Sequence, residues 1–381
     1  MYSKMPYLPD EIITNILKRL PVKSLIRFQC VCTHWKNLIK NPSFIADHLQ
    51  QSGHQNSSLL LLEWNRRDVH WRLLLLDCGM QVREIEKAFW IDSLAVARII
   101  GSCNGLLCVE IRQYNKFPPS LLVWNPATKE IRHLPRSSVG CFDYHDDCVT
   151  GFGFSPIANN YKIVRTYAKL HDATNRVEVF SLSRGSWKEI DLGNLKGVKL
   201  YSETVTANGE IFWFGIKLGA KEGSYDGEVI VSFDIAKEVF TLMPKPNLDY
   251  CADESLTVYE NKLAILCEID GDDDESSDLI GLWVMEEGTC VSGERQGWNK
   301  IYTSGPCPYI LDPMAVWRNE IVSKVSSFED DDEKRRNVSY FMNVTTNEVK
   351  SFVIPCCGRV HSMYNYVESL VSVGNNYLEE S

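Results

Sequence analysis

A small all-α head of three short helices followed by a large all-β domain is the fold class that this 381-residue sequence predicts. Three observations carry it. Apolar residues recur at helical spacing only in about the first fifty positions. Beyond them, short runs rich in Val, Ile, Leu, Phe and Trp are broken by turn residues. Those runs then repeat at intervals of roughly fifty residues.

The head is read from its punctuation. Leu8-Pro9-Asp10-Glu11 places a proline and two acids where a first helical turn accepts them, and Ile12, Ile13, Ile16, Leu17 and Leu20 follow on adjacent ridges. Pro21 stops that helix. Val22 to Phe28 forms a second, and Thr33 is the expected N-cap of a third that carries Trp35, Leu38 and Ile39. Asn41-Pro42 is expected to end it. So small a module cannot bury this much Ile, Leu and Trp against itself, so part of its apolar face is expected to meet another protein.

The run LPDEIITNILKRLPVKSLIRFQCVCTHWKNLIKNPSF, Leu8 to Phe44, resembles an F-box: the Leu-Pro opening, the central Leu-Pro, Val-Cys-x-x-Trp and the closing Asn-Pro-x-Phe stand in register. The resemblance implies a three-helix module that docks on the Skp-type adaptor of a cullin-RING ubiquitin ligase. The matching contact residues are Leu8, Pro9, Ile12, Ile16, Pro21, Leu25, Val31, Cys32, Trp35 and Leu38. Ile13, Leu17, Leu20, Phe28 and Ile39 are instead read as the module's own core, and Trp35 and Cys32 as serving both roles. The expected divisions are residues 1–48 for this module, a polar linker at 49–57, an all-β domain at 58–374 and a tail at 375–381.

In the all-β part, one recurring piece is a strand, a tight polar turn and a returning strand. It stands at LLVWNPATKEIRHLP, VEVFSLSRGSWKEID, VIVSFDIAKEVFTLMP, LIGLWVMEEG with GWNKIYTS, and SYFMNVTTNEVKSFVI, with a degenerate first copy at RLLLLDCGMQVREIE. A second piece precedes it: GSCNGLLCVE, GFGFSPIANNYKIVRTY, ETVTANGEIFWFG, LTVYENKLAILCE and AVWRNEIVSKV. Asn104-Gly105 and Asn208-Gly209 are strong hairpin turns. Inner hairpin plus outer hairpin makes a four-stranded blade, so the copies predict a β-propeller of about six blades, closed by YVESLVSV from Tyr366. Two packed β-sandwiches are the competing architecture, and seven blades the competing count.

NGLLCV, WNPATKEIRHLP, GFGFSPIANNYKIVRTY and YVESLVSV also resemble the F-box-associated, kelch-like domain of large plant F-box families, over most of Ile99 to Val373. The kelch Gly-Gly doublet is missing. The resemblance includes the CPR-type and pollen S-locus classes, the latter with basic ribonucleases as partners.

Composition narrows the function. The net charge is −10, yet residues 1–50 hold seven Lys/Arg against three acids, about +4, and the remainder is about −14. An acidic body argues against nucleic acid as a partner. No apolar stretch is long enough for a membrane span, and no signal-like segment is present, so a cytoplasmic or nuclear location is expected. Thirteen Cys without a C-x-x-C pair suit a reducing compartment and no metal site. No catalytic motif stands out, and no cofactor is expected. Gly151-Phe152-Gly153 runs into Pro156, which forbids a dinucleotide-binding helix start.

The reading is therefore a non-catalytic substrate receptor of a ubiquitin ligase: the head binds the adaptor, and the propeller holds a target protein for ubiquitination and degradation. The alternatives are a non-degradative scaffold on the same adaptor, a pollen S-locus F-box-type receptor for basic ribonucleases, and a propeller enzyme with a helical appendage, for which the sequence offers no cluster of acids or His. The candidate target contacts are Phe142, Asp143, Tyr144 and His145, with Lys217 to Gly227 as a second loop and the acidic runs Asp270 to Glu275 and Glu329 to Glu333 as further docking candidates.

Overall fold

Four helices open the chain, one more than the sequence predicts: α1 (Asp10–Lys18), α2 (Val22–Phe28), α3 (Thr33–Ile39) and α4 (Pro42–Gln55). The computed structural model describes residues 8–55, 57–65, 70–85, 95–113, 116–137, 146–169, 172–219, 224–248, 251–269, 279–286, 297–305, 311–325, 338–355 and 358–374. Asn41-Pro42 is a helix start rather than a stop. Proline at a first helical position gives up no helical hydrogen bond, and the Asn41 side-chain oxygen accepts from the Ser43 N–H at 2.9 Å. The helix then continues through Gln55, into the polar stretch read as linker. Cys32, not Thr33, caps α3, its sulfur accepting from the Trp35 N–H at 3.4 Å.

The four helices close on Leu17, Val22, Leu25, Ile39 and Phe44, with Ile13, Leu20, Phe28, Trp35 and Leu38 partly buried around them. One member of this core comes from the far end of the chain: Leu370, only 7% exposed.

Six four-stranded antiparallel sheets follow. Blade 1 holds β1 (Ser58–Asn65), β2 (His70–Leu76) and β3 (Val82–Glu84), and blade 2 holds β4 (Ala95–Cys103), β5 (Leu106–Gln113), β6 (Lys116–Asn125) and β7 (Glu130–His133). Blade 3 is β8 (Asp146–Ser155), β9 (Asn160–Lys169), β10 (Thr174–Ser181) and β11 (Ser186–Ile190); blade 4 is β12 (Val198–Ala207), β13 (Glu210–Leu218), β14 (Tyr225–Asp234) and β15 (Val239–Pro244). Blade 5 is β16 (Cys251–Tyr259), β17 (Lys262–Ile269), β18 (Leu279–Met285) and β19 (Trp298–Thr303); blade 6 is β20 (Leu311–Trp317), β21 (Glu320–Val325), β22 (Val338–Asn343) and β23 (Val349–Val353). The last strand, β24 (Arg359–Tyr366), pairs with β1 and completes blade 1 as its innermost strand. Contacts between innermost strands run β4, β8, β12, β16, β20, β24 and back to β4, so the ring is closed.

Ring closure therefore falls to Arg359–Tyr366 and not to the run from Tyr366 to Val373. The reason lies in who engages that backbone. The Asn125 side-chain amide donates to the Ser369 and Val371 carbonyls at 3.0 and 2.7 Å, Arg132 donates to the Val373 carbonyl at 3.2 Å, and Glu130 accepts from the Val373 N–H at 3.0 Å. Side chains thus take the groups that a strand ladder would use. Residues 367–374 become a strap that binds blade 2 and pins Leu370 into the helical core.

Each of the six gaps between blades holds its own apolar cluster. On β1, Leu60 and Leu62 pack toward blade 2 while Leu59 and Leu61 pack toward blade 6. Both faces of a strand are thus buried, so the expected run is continuous Leu rather than an apolar-polar alternation, and the paired-sandwich alternative falls. The Gly151-x-Gly153 spacing has a packing cause: a Cβ at Gly153 would lie 2.7 Å from Ile235 and Thr206, and one at Gly151 would overlap Trp213. The outer turns repeat one device. The side-chain oxygens of Asp77, Asn125, Asp234 and Asn343 each accept two backbone N–H groups of the turn that follows.

Candidate functional site

The strand directions sort every connection to one of two ends. At one end are the turns between the first and second and between the third and fourth strands of each blade. These are two to five residues long, save 286–297 in blade 5. At the other end are the remaining connections, which reach twelve residues at 134–145 and 326–337. The helical head sits at the tight-turn end. Its core touches Ala127, in the turn after β6, and Leu370, which follows the end of β24. Apart from 286–297, the strand ends that the long connections join lie at the opposite end, away from the helices.

The head presents an apolar surface to solvent. Leu8 just before α1 and Ile12 and Ile16 on it recur at four-residue spacing and are 52%, 46% and 48% exposed, and Val31 after α2 is 60% exposed. Ile13 and Leu17, one position further on, point inward. Pro9, Pro21 and Cys32 are also exposed, while Trp35 and Leu38 are half-buried. Leu25 differs from its expected role: it is 0% exposed and lies in the core, where it backs the surface instead of forming it. Covering a half-exposed aliphatic side chain is worth on the order of 1 kcal/mol, so this stripe suits a partner's apolar groove. Lys23, Arg27, Lys36 and Lys40 of the head are exposed as well.

At the long-connection end, five innermost strands break register partway along. The shifts fall between Ile99 and Gly101, Leu200 and Thr204, Cys251 and Glu254, Pro313 and Ala315, and opposite Leu62/Glu63 on β24. Bulges re-aim side chains, and here Arg98, Glu203, Met314 and Ser362 line a central cavity of about 680 Å³. The strand β8 keeps unbroken register. Phe142, Asp143, Tyr144 and His145 lie outside the described residues, as do both acidic runs and part of the loop from Lys217 to Gly227. The strands that flank the first of these, β7 and β8, put its two ends at the long-connection end.

While Cys78 is exposed, burial governs several of the described cysteines of the propeller. It pushes the Cys103 thiol up to about 12 and the Cys148 thiol up to about 11, against a backbone hydrogen bond from Phe154 and the charge of Arg165 respectively, and it also raises Cys108 and Cys267. These thiols are protonated at neutral pH and act as small core residues. Among the described residues, no group of three His, Cys, Asp or Glu is gathered as a metal-binding set, and no helix is long and apolar enough to cross a membrane.

Sequence reasoning missed the strap and its holders Asn125 and Arg132, and it missed Glu203. Nothing local marks them. The strap reads as one more alternating strand, and its partners are more than two hundred positions away.

Comparison with known proteins agrees with this two-part layout. Residues 77–373 match the family described as F-box associated beta propeller domain, and residues 5–47 match the F-box domain. An F-box/kelch-repeat protein of Arabidopsis thaliana is 27% identical over 318 residues, covering 77% of this chain and 78% of its own. Another F-box protein of that plant is 27% identical over 358 residues, covering 84% of this chain and 79% of its own. F-box protein CPR1, also from Arabidopsis thaliana, is 27% identical over 329 residues, covering 78% of this chain and 73% of its own.

Proposed function

Because the chain belongs to the F-box associated beta propeller family and opens with an F-box, we propose that it is the substrate-recognition subunit of an SCF ubiquitin ligase. The head, residues 1–48, docks on a Skp-type adaptor through Leu8, Pro9, Ile12, Ile16, Pro21, Val31 and Cys32, with Trp35 and Leu38 behind them and Leu25 as their support. The propeller, residues 58–374, holds a target protein whose ubiquitination leads to proteasomal degradation. The chain itself catalyses no step; it raises the effective concentration of target lysines near the charged ubiquitin carrier. Its place is cytoplasmic or nuclear, with neither nucleic acid nor membrane as partner.

The observation that supports this best is the opposed placement of two surfaces. An exposed apolar stripe stands on a head clamped to the tight-turn end, and the strand ends joined by most of the long connections are at the far end. The strap fixes the head's orientation, so a target on the far end would be held at a constant position relative to the ligase.

The test is affinity purification of the intact chain and of a Leu8→Ala/Pro9→Ala/Ile12→Ala variant from plant cells with the proteasome blocked. Adaptor and cullin are expected with the intact chain and lost with the variant, while a further protein stays bound to both. Failure of the intact chain to retain the adaptor overturns the receptor reading. A retained protein whose level is unchanged by cullin inhibition overturns the degradation step alone.

A further inference from the structure

Apart from the helical stripe, the exposed large apolar side chains among the described residues are scattered, with one exception. The only exposed aromatic side chains among them, Tyr201 at 41% and Tyr225 at 67%, belong to the same region of blade 4. Tyr201 begins the β12 bulge and Tyr225 begins β14, so both sit at the long-connection end. Beside Tyr201 is a pocket of about 400 Å³, lined by Tyr201, Glu203, Phe214, Glu228, Lys245 and Glu254 together with Ser202 and Gly215; Tyr225 is close enough to act on Tyr201 but stands outside this lining. It shares Ser202 and Glu203 with the mouth of the central cavity.

The pocket is built around a cation. The Lys245 ammonium lies 2.5 Å from Glu228, 2.9 Å from Glu254 and 5.5 Å from the centre of the Phe214 ring. Carboxylates on two sides and an aromatic face on a third are the arrangement that desolvates and holds a side-chain cation. Yet Lys245 balances only one charge of the three that Glu203, Glu228 and Glu254 bring, and Asp226 adds another beside Tyr225. Arg98 donates to the Ser202 carbonyl at 2.6 Å on the cavity side. The lining thus stays net acidic, on a body of about −14, with the uncovered Tyr201 in it and the uncovered Tyr225 near Tyr201. Exposed tyrosines beside a charged pocket are a composition that protein-binding hot spots favour.

We propose that this pocket is the primary target-reading surface and that its occupant is a basic peptide segment of the target, whose arginine or lysine takes the place of Lys245 between Glu228 and Glu254 while flanking residues pack on Tyr201 and Tyr225. The displaced ammonium swings into solvent on its flexible stem, so Lys245 serves as an internal stand-in that keeps the carboxylates paired until a target arrives. The inference rests on the receptor reading only in naming the occupant a target; the surface itself does not depend on the adaptor.

The experiment uses the full chain in complex with its adaptor and fluorescent twelve-residue peptides of alternating Arg-Ser, Lys-Ser, Gln-Ser and Glu-Ser. Anisotropy is expected to show binding of the Arg and Lys peptides only. Glu228→Gln with Glu254→Gln, and separately Tyr225→Ala, should each weaken it by roughly tenfold or more. Lys245→Met should do the reverse and tighten it severalfold, because the competing internal cation is gone; a merely structural lysine would not. Neutralising Asp272, Asp273 and Asp274 in the acidic run should leave the affinity within about twofold. The inference is overturned if the Gln-Ser peptide binds as well as Arg-Ser, if Lys245→Met weakens binding, or if only the acidic-run variant loses it. Adaptor retention, read on the same samples, reports separately: its loss with peptide binding intact counts against the receptor function and leaves the pocket standing.

Discussion

The head and the propeller deploy their apolar residues in opposite ways. In the head, Leu8, Ile12, Ile16 and Val31 face solvent beside a core of only a few side chains. In the propeller, six separate clusters take up the Leu, Val and Ile of every blade on both faces, and the aliphatic residues left exposed among the described ones, such as Ile157, Ile301 and Val353, are scattered. The difference teaches where each region's sequence is constrained. The head's pattern is tied to a partner's surface, and the propeller's pattern is tied to its neighbours in the ring.

One substitution applied to both regions gives the largest contrast. Leu61→Asp buries a carboxylate between blades 1 and 6, which costs several kcal/mol and should leave the chain unfolded or insoluble. Ile16→Asp places the same carboxylate on a half-exposed position and should shift the thermal midpoint by no more than a degree or two, while adaptor affinity falls by about a hundredfold or more. Circular dichroism melts beside adaptor titrations check both. Equal loss of stability in the two variants would break the comparison.

Leu370 tests the joint, since it belongs to the propeller's strap by position and to the head's core by contact. Leu370→Ala should cost about 2–4 kcal/mol, felt locally. Hydrogen exchange should rise in α1 to α4 and stay unchanged in β8 to β23, and adaptor binding should survive because the stripe is untouched. Protection lost evenly across all six blades would show that head and propeller form a single cooperative unit.

How the sequence disclosed these regions follows from the range of the forces involved. Blade turns were readable because their chemistry is local: Asn104-Gly105 and Asn208-Gly209 both take the positive φ that their turns need, and the Asx oxygens act within four residues. The fourth helix was misjudged because proline both ends and begins helices, and only the Asn41 cap decides between them. Strand β24 and the strap were confused because both alternate, and the partners Asn125 and Arg132 that separate them are distant in the chain. The acidic pocket was the least accessible: Tyr201, Phe214, Glu228, Lys245 and Glu254 come from five strands or strand ends and share no spacing.

Gly105 sharpens the same joint at one atom. Its φ is +79°, and an added Cβ would meet the Val367 carbonyl at 2.5 Å and overlap Ser369. Gly105→Ala should therefore cost about 1–3 kcal/mol and loosen the strap from blade 2. Raised exchange at residues 368–374, with the inter-blade cores still protected, is the expected reading. Unchanged protection there would mean that the Asn125 and Arg132 hydrogen bonds hold the strap without help from the turn.

The smallest effect expected is an acid-sensitive link between blades 3 and 4. Lys162, 8% exposed, donates to the Ile235 carbonyl at 2.6 Å and to Glu238 at 2.8 Å, and Lys188 reaches the other Glu238 oxygen at 3.1 Å. Burial acts to raise the Glu238 pKa, but the hydrogen bonds and charges of the two lysines outweigh it and hold the carboxyl below its ordinary value. A depressed folded-state pKa contributes stability that is fully present above the unfolded value and is lost as pH falls through the folded one. The link should therefore weaken only below the ordinary carboxylate range, by about 1 kcal/mol, since a partly exposed carboxylate is screened by water. Glu238→Gln should lower the melting temperature slightly at pH 7 and converge with the unsubstituted chain in acid. A gap between the two that stays constant down to pH 3 would assign the contribution of Glu238 to packing and leave the ion pair without a role in joining the blades.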